Sequence, residues 1–426
     1  MLPLAQIANK LAAGDCDALL RSLYGGGVAA QQKRYAGVLE AFTRRFPGHD
    51  EAAVFSTPGR TEVGGNHTDH NGGHILAAAV DLDIVGVAAP NGTREVRVLS
   101  EGFDEVCVSL DDLAARVEEK YTSHALVRGV MARMAQLGHK TGGFDCVLHS
   151  TVLKGSGLSS SAAFEVQMCT IANCFFNGGT IGDVENAQIA QYAENEYFGK
   201  PCGLMDMTTC AVGGLVTIDF FDFDRPDVCR VEYDFFSSGY VMFIVDTGGN
   251  HADMTPDYEA LEHEMKAVAA ALGADVLRRT SKAAMIKALP ALREKLNDRA
   301  ILRAFHFFND DQRVIDQVAA LKADDFETFK RLIIESGLSS FTYCQNIYAN
   351  TAWEDQGLSI ALALSEELLS GKGAWRVHGG GFGGTIQAFV PQAMAGEYEA
   401  AMSAVFGPAA CHKVMLRPQG TQMVLS

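Results

Sequence analysis

The residues best suited to chemistry stand in a glycine-bounded segment near the N-terminal end of the chain. GGNHTDHNGG, residues 64–73, holds two histidines, an aspartate and two asparagines, and Arg60 stands just upstream. Glycines at both ends let the backbone take positive φ and turn sharply. Donors and acceptors held together on such a turn suit a ligand with many hydroxyl groups, and a polar surface turn is the alternative interpretation.

A second motif lies between a predicted strand and a predicted helix. It reads GSGLSSSAA, residues 155–163. Successive backbone N–H groups in such a loop, together with the helix N-terminus, form an anion site, and the three serines add hydroxyls that can contact phosphate or a metal. A dinucleotide-binding loop fits badly, because the motif lies far from the N-terminus and no acidic residue ends a following strand about 20 residues on. A tight turn with serine caps is the remaining alternative.

Two carboxylates and a third glycine run complete the set. Asp206 follows an apolar turn, where a carboxylate can act as a general base or anchor an alcohol. Glu194 could hold Mg²⁺, which takes few protein ligands beside phosphate oxygens; each acid taken alone is more often a surface or capping residue. GGGFGG, residues 379–384, allows a very close backbone approach, with a plain loop as the alternative. Arg376 and His378 precede it, as a salt-bridging pair or as ligand contacts.

The periodicity of apolar residues predicts strands and helices that position these motifs. Strands are predicted at residues 52–57, 94–99, 144–153, 214–221, 240–246 and 385–390, with an apolar run at 75–89. Helices are predicted at residues 111–137, 158–176, 183–197, 258–272, 311–321, 326–337 and 358–369. Asp183 is the predicted N-cap of one helix, and Asn177 begins the C-terminal stop of another. A polar stretch at 222–234 marks the predicted boundary between two domains.

Composition limits the classes of function. The chain has 426 residues, which is long for one core and favours two domains, and its 48% hydrophobic and 20% charged content is ordinary for a soluble globular protein. A formal net charge of -17 argues against a nucleic-acid partner. We find no signal peptide, no apolar run of membrane-spanning length, and 10 scattered cysteines without zinc-site spacing. The sequence therefore predicts a cytoplasmic protein with reduced thiols and no membrane partner.

Taken together, the motifs resemble those of the GHMP small-molecule kinases, and within them the galactokinases. The matching stretches are TPGRTEVGGNHTDHNGG (57–73) for the sugar signature, GSGLSSSAA (155–163) for the ATP motif, AENEYFGKPCGLMD (193–206), and VHGGGFGG (377–384) for the third motif. Their order and spacing cover about residues 40 to 390. The resemblance implies a two-domain α+β GHMP kinase fold with the active site in the cleft. It implies an N-terminal domain like ribosomal protein S5 domain 2 over residues 1–225 and a ferredoxin-like C-terminal domain over residues 226–426.

The resemblance also implies a role for each matching residue. Asp206 would be the catalytic carboxylate near the C1 hydroxyl of a sugar, with Arg60 beside it, and Ser161 and Glu194 would hold Mg²⁺. The phosphates of ATP would be bound by Gly155, Ser156, Gly157, Ser159, Ser160 and Ser161. The sugar would be bound by Asn66, His67, Asp69, Gly203 and Tyr258. The implied reaction is transfer of phosphate from ATP to the anomeric hydroxyl of D-galactose or a close relative, by a monomer or weak homo-oligomer.

The sequence departs from the family pattern at positions that bear on specificity. Asn66 stands where the family has glutamate, and His70 where it often has tyrosine. An amide both donates and accepts hydrogen bonds and does not repel a carboxylate, so galacturonate or another C6-altered galactose is an alternative substrate. A non-catalytic galactose and ATP sensor, another GHMP reaction and a dehydrogenase are further alternatives. The sequence leaves open the C2 and C6 substituents of the sugar, the preference for ATP or GTP, and the role of the residues before about 40.

Overall fold

The computed structural model describes residues 1–152, 157–200, 202–235, 237–248 and 255–426. Its strands are β1 (Leu2–Pro3), β2 (Glu51–Gly64), β3 (His74–Pro90), β4 (Glu95–Ser100), β5 (Val106–Ser109), β6 (Phe144–Ser150), β7 (Leu215–Asp219), β8 (Asp227–Arg230), β9 (Tyr240–Asp246), β10 (Ala374–Val377), β11 (Thr385–Pro391), β12 (Cys411–Val414) and β13 (Gln422–Leu425).

Its helices are α1 (Leu4–Ala13), α2 (Asp17–Tyr24), α3 (Val28–Arg45), α4 (Ser123–Gln136), α5 (Ser160–Phe176), α6 (Asp183–Tyr192), α7 (Met205–Val212), α8 (Thr255–Ala271), α9 (Lys282–Lys295), α10 (Asp298–Lys322), α11 (Phe326–Ser339), α12 (Gly357–Leu369) and α13 (Ala395–Phe406). Two π-helical turns, Ala193–Phe198 and Ser340–Cys344, directly continue α6 and α11. Over the described ranges, no helix combines the length and the apolar composition that a membrane crossing requires.

A nine-stranded sheet forms the larger layer. Its strands follow the order β1-β2-β3-β6-β4-β5, while β13 also pairs with β2, β7 with β3, and β8 with β7. These pairs are antiparallel except β4 with β6, which is parallel. A second sheet of four antiparallel strands has the order β10-β11-β9-β12. Arg60 lies on β2 and the 64–73 segment follows it, so the large sheet sets the position of both.

Helices cover both faces of the large sheet, because successive residues of a strand point to opposite faces. Ala53 and Phe55 of β2 belong to the core formed with α4, α5, α6 and α7, whereas Ala52 and Val54 belong to the core formed with α1, α2 and α3. α12 and α13 pack on the four-stranded sheet, and α8, α9 and α10 pack on one another. The architecture is mixed α and β, which confirms the predicted fold class.

The structure confirms most predicted elements and corrects two. β4 and β11 lie within one residue of their predicted bounds. The predicted helix at 111–137 is wrong in its first half, because α4 covers only the second half and Val117 is 81% exposed. Tyr121 takes a φ of 63°, which a right-handed helix does not accommodate. The prediction of Asp183 as an N-cap is also wrong, because Gly182 occupies that position. Asp183 is the first helical residue, where its negative charge interacts favourably with the helix dipole.

The predicted domain boundary near residue 225 stays a prediction. β8 and β13 lie beyond it in sequence, yet both pair with strands of the large sheet. The chain after β12 therefore returns to the layer that contains the N-terminal strands.

A buried ion-pair network ties the N-terminal helices and the C-terminal tail to β3. Asp83 is fully buried. Its carboxylate accepts hydrogen bonds from Arg34, Tyr24 Oη (2.6 Å), Ser56 and Arg417 Nη1 (2.9 Å). Burial raises the pKa of Asp83, but the guanidiniums of Arg34 and Arg417 outweigh burial, so the pKa lies below its usual value. α2, α3 and the residues after β12 thus share one anchor.

Replacing Asp83 by alanine should lower the free energy of unfolding by about 3–5 kcal/mol, because the buried guanidinium of Arg417 and the partly buried one of Arg34 lose their partner. Urea denaturation at pH 7 measures this loss. The carboxylate stabilises the fold above its unfolded pKa of about 3.9 and ceases to do so as the pH falls through its lower folded pKa. The stabilities of the two proteins should therefore converge in acid.

The matched control is Asp111→Ala, because Asp111 and its partner Arg94 are both exposed. We expect this exposed pair to contribute less than about 1 kcal/mol. A loss for Asp83→Ala no larger than that of the control would contradict the anchoring role.

Candidate active site

The register of β2 is broken on both sides of Arg60. Its pairing with β3 shifts between Pro58 and Arg60 and again between Glu62 and Gly64. Such irregularities redirect side chains next to functional sites. Here β2 also contacts the loop before α5, since the Arg60 N–H donates to Leu158 O (3.2 Å). The strand β2 thus places the Arg60 guanidinium beside that loop.

Arg60 and Asp206 form an ion pair at the centre of the site. Arg60 Nε lies 2.7 Å and Nη2 2.6 Å from Asp206 Oδ1, and Nη1 donates to the carbonyl of Gly157. The hydroxyl of Ser159 donates to Asp206 Oδ2. Asp206 lies in the first turn of α7, where the helix dipole favours its negative charge. Its side chain is 27% exposed against 7% for Arg60, so a ligand can reach the carboxylate while the guanidinium stays covered.

The backbone before α5 is arranged as an anion site. Ser159 takes left-handed angles (φ 56°, ψ 61°) directly before the helix, and Gly157 has a φ of 70°. The helix begins at Ser160, so the N–H groups of its first turn lack a partner within the helix and are available to an anion. Gly155 and Ser156, predicted members of the same loop, lie outside the described residues.

A hydroxyl and a carboxylate beside this loop provide oxygen ligands. Ser161 Oγ lies 3.1 Å from Glu194 Oε1. Glu194 stands on the π-helical turn after α6, and burial raises its pKa against the opposing effect of Lys200, 3.8 Å away. Oxygen donors of this kind fit Mg²⁺. Among the described residues, no group of three or more His, Cys, Asp or Glu side chains is placed to hold a metal, so a bound ion would need phosphate and water oxygens as further ligands.

Asp69 and Gly203 are in close contact although their motifs are far apart in sequence. A Cβ atom at Gly203 would lie 2.0 Å from Asp69 Oδ2, so a larger residue there would displace the Asp69 carboxylate. Asp69 belongs to a short 3-10 helix within the 64–73 segment. Because Gly203 stands just before α7, this contact brings the 64–73 segment beside the Arg60–Asp206 pair.

His67 and Tyr258 hold the GGGFGG loop, residues 379–384. His67 Nε2 lies 2.9 Å from Gly380 O, and Tyr258 Oη donates to Gly381 O (3.0 Å). Burial, together with neighbouring His70, lowers the pKa of His67 to about 3. Burial raises the pKa of Tyr258 to about 12. Both side chains are therefore neutral at pH 7, and since a carbonyl can only accept, the neutral His67 ring carries its hydrogen on Nε2.

Asn66 is fully buried, and protein groups occupy its amide. Its Nδ2 donates to Glu62 Oε1 (3.1 Å) and to Gly379 O (2.7 Å). Its Oδ1 accepts from Ser340 Oγ (3.1 Å) and from Asn346 Nδ2 (2.8 Å). An amide has two donors and two acceptor sites, so every position is engaged in this structure. That Asn66 contacts a sugar stays a prediction.

The structure brings together the predicted catalytic pair, the described part of the phosphate loop, the Ser161–Glu194 pair and the sugar segment. Two buried residues near the site, Glu165 and Asn346, were not identified from the sequence. Glu165 lies one turn after Ser161 with no hydrogen-bond partner for either oxygen among the described residues, and burial and Glu194 raise its pKa well above the usual value. The feature of the sequence that could have marked Glu165 is its acidic side chain in a predicted helix that is otherwise apolar. Asn346 belongs to no motif, so nothing in the sequence marked it.

Comparison with known proteins matches the chain to two family models. These are the galactokinase galactose-binding signature over residues 40–90 and the GHMP kinases N terminal domain over residues 125–214. The galactokinase of Streptomyces coelicolor is 30% identical over 363 residues, which cover 84% of this chain and 89% of that protein. The galactokinase of Clostridium acetobutylicum is 30% identical over 375 residues, which cover 84% of this chain and 90% of that protein.

Solved structures share the fold. Lactococcus lactis galactokinase complexed with galactose aligns with a TM-score of 0.78 at 21% identity, covering 90% of this chain and 98% of that chain. Methanococcus jannaschii mevalonate kinase aligns with a TM-score of 0.62 at 14% identity, covering 86% of this chain and 98% of that chain. These alignments show the GHMP kinase fold. The two relatives at 30% identity are both galactokinases, which assigns the chain to one family within that fold. The chain therefore belongs to the galactokinase family of the GHMP kinases.

Proposed function

We propose that this protein transfers the γ-phosphoryl group of ATP to the C1 hydroxyl of D-galactose or a close relative. The Arg60–Asp206 pair carries the proposal, because it contacts the phosphate loop on one side and adjoins the 64–73 segment on the other. The two galactokinase relatives support galactose as the sugar. Both substrates are small molecules, and we propose that the protein acts on them as a monomer or weak homo-oligomer.

Asp206 accepts the proton of the C1 hydroxyl as that oxygen forms a bond to the γ-phosphorus of ATP, and the bond from this phosphorus to the β–γ bridging oxygen breaks to release ADP. Arg60 holds one carboxylate oxygen and the Ser159 hydroxyl reaches the other, so the base is oriented before the sugar arrives. Arg60 also balances negative charge that develops during transfer. Phosphoryl transfer demands mainly positioning and charge neutralisation, and this arrangement provides both.

The phosphates of ATP bind at the start of α5. The residues proposed to bind them are Gly155, Ser156, Gly157, Ser159, Ser160 and Ser161. Ser161 and Glu194 would hold Mg²⁺, which neutralises phosphate charge when bound. The buried Glu194 carboxylate has the exposed Lys200 as a weak counter-charge, so a divalent cation would compensate its negative charge more fully.

The sugar binds on the other side of Asp206, against the 64–73 segment. We assign its hydroxyl contacts to His67, Asp69, Tyr258 and the backbone at Gly203. Asp69 offers carboxylate oxygens as acceptors, while the neutral His67 and Tyr258 provide polar groups that carry no charge. A non-catalytic sensor would need neither the Arg60–Asp206 pair nor Ser161 beside Glu194, so the presence of both favours catalysis.

Asp206→Asn keeps the shape of the side chain and removes the base. Turnover should fall at least about 10²–10⁴-fold, the usual contribution of a general base, while the circular dichroism spectrum stays close to that of the wild type. ADP release with ATP and D-galactose measures turnover. The control, Asp275→Asn, alters an exposed acid and should keep full activity. Turnover of Asp206→Asn within tenfold of the wild type would remove Asp206 from the mechanism.

Ser161→Ala and Glu194→Gln should each raise the Mg²⁺ concentration for half-maximal rate by at least about tenfold. The physical reason is the loss of one oxygen ligand from a pair held 3.1 Å apart. Titration of Mg²⁺ at saturating ATP and galactose measures the shift, and Glu118→Gln, which alters an exposed acid, is the matched control. An unchanged Mg²⁺ dependence in both variants would exclude this pair as the metal site.

The wild-type enzyme should prefer D-galactose to D-galacturonate even though Asn66 replaces the family glutamate. Measurement of kcat/KM for both sugars, with ATP and with GTP, tests this and fixes the base preference. A preference for galactose above about a hundredfold, roughly 2.7 kcal/mol, ends the uronate alternative. Equal or better use of galacturonate would make a C6-carboxylate sugar the substrate.

A further inference from the structure

His378, which precedes the GGGFGG loop, lies between the two sheets with both ring nitrogens engaged. Its side chain is 2% exposed. Nε2 lies 2.8 Å from Thr61 Oγ1 on β2, and Nδ1 lies 2.9 Å from Thr385 Oγ1 at the start of β11. Gln387 Nε2 donates to the same Thr61 oxygen (2.7 Å), so we assign the Thr61 hydroxyl as the donor to the ring at Nε2. Nδ1 then carries the ring hydrogen and donates to Thr385, which fixes the orientation of the imidazole.

The imidazole supports the backbone of the phosphate loop. A Cβ atom at Gly157 would lie 2.9 Å from His378 Nδ1 and 3.1 Å from Thr385 Oγ1, so the Gly157 backbone packs directly on these side chains. The carbonyl of Gly157 accepts a hydrogen bond from Arg60 Nη1. Arg60 in turn binds Asp206 through Nε and Nη2. A continuous series of contacts therefore runs from His378 to Asp206.

The imidazole can stand near two guanidiniums because it is uncharged. Burial, and then the charges of Arg60 and Arg376, hold the pKa of His378 well below its usual value. A lysine or arginine at this position would add another buried cation. A small side chain would leave Gly157 without support and Thr61 and Thr385 without their shared partner.

We propose that His378 is a positioning residue for phosphoryl transfer: it supports the phosphate loop at Gly157 and, through the Gly157 carbonyl, fixes Arg60 against Asp206. The inference rests on the proposed kinase function. If His378 had only a structural role, its contacts would join the two sheets and extend no further. The series of contacts instead continues to Asp206, the reacting carboxylate.

Gln387 provides a matched control in the same buried layer. It is also fully buried, and its Nε2 lies within hydrogen-bond distance of Thr61 Oγ1, the Glu62 carbonyl (3.1 Å) and Met242 Sδ (3.4 Å). The atoms nearest to a Cβ at Gly157 belong instead to His378 and Thr385. Removing the Gln387 side chain should therefore disturb the contact between the sheets and leave the phosphate loop in place.

The experiment compares His378→Ala, His378→Asn and Gln387→Ala, each checked for folding by circular dichroism and Tm. Misplacement of reacting groups is costly, so His378→Ala should lower kcat about 10- to 100-fold and weaken ATP binding, with the KM for galactose changed by less than about twofold. His378→Asn retains a polar group near the position of Nδ1 and should recover most of the kcat. Gln387→Ala should lower Tm comparably and keep kcat near that of the wild type.

Equal losses of kcat in His378→Ala and Gln387→Ala, or a wild-type kcat in His378→Ala, would overturn the proposal. If His378→Ala does not fold, His378→Asn and His378→Gln decide, because glutamine reaches towards Thr61 and leaves the space beside Gly157 open. A higher kcat for His378→Asn than for His378→Gln supports the proposal, and the reverse order overturns it.

Calorimetric binding of ATP in the absence of sugar separates this inference from the proposed function. Weaker ATP binding by His378→Ala, with unchanged galactose binding, supports the inference whether or not galactose is phosphorylated. ATP binding equal to that of the wild type overturns it. A wild-type protein that binds ATP and transfers phosphate to no sugar would refute the proposed function alone.

Discussion

The ion pair between Glu62 of β2 and Arg376 of β10 is enclosed between the two sheets, and the active site depends on it. Arg376 is fully buried, with Nη2 2.6 Å from Glu62 Oε1 and Nη1 donating to Val63 O (2.8 Å). Burial raises the pKa of Glu62 to about 7 despite this guanidinium, which shows how strongly the surroundings oppose a charge. Such a pair adds little net stability, but separating its members leaves an uncompensated charge. The two sheets can therefore meet only in the alignment that pairs them.

This alignment positions both the catalytic residues and the sugar segment, because β2 carries the first and leads into the second. Arg60 precedes the buried layer on β2, and Asn66 follows it directly after the strand. The amide of Asn66 ties the turn that carries His67 and Asp69 to the chain after α11 and to the GGGFGG loop. Arg60 is placed by a strand, which holds a side chain more precisely than a free loop does.

Local motifs made the site predictable, and distant contacts limited the prediction. Glycine runs and short polar segments specify turns from neighbouring residues alone, so the phosphate loop and the sugar segment could be located. Asn66 was visible as an amide, but its partners Ser340 and Asn346 stand 274 and 280 residues away, and no local pattern predicts such pairings. The missing first half of the predicted helix at 111–137 has a nearer cause: Arg128 binds Glu119 through two nitrogens, a contact across nine residues that apolar spacing does not reveal.

β13 and β1 lie end to end along one edge of β2. Leu425 pairs with Val54 and Leu2 pairs with Ala52, both antiparallel to β2, so the two strands together read as one interrupted edge strand. The two pairing positions on β2 are about 7 Å apart, so residues 425 and 2 meet on this edge although they stand far apart in sequence. Without β13 this edge of β2 would present unpaired N–H and C=O groups to strands of other molecules, so residues 422–425 protect the large sheet against intermolecular pairing.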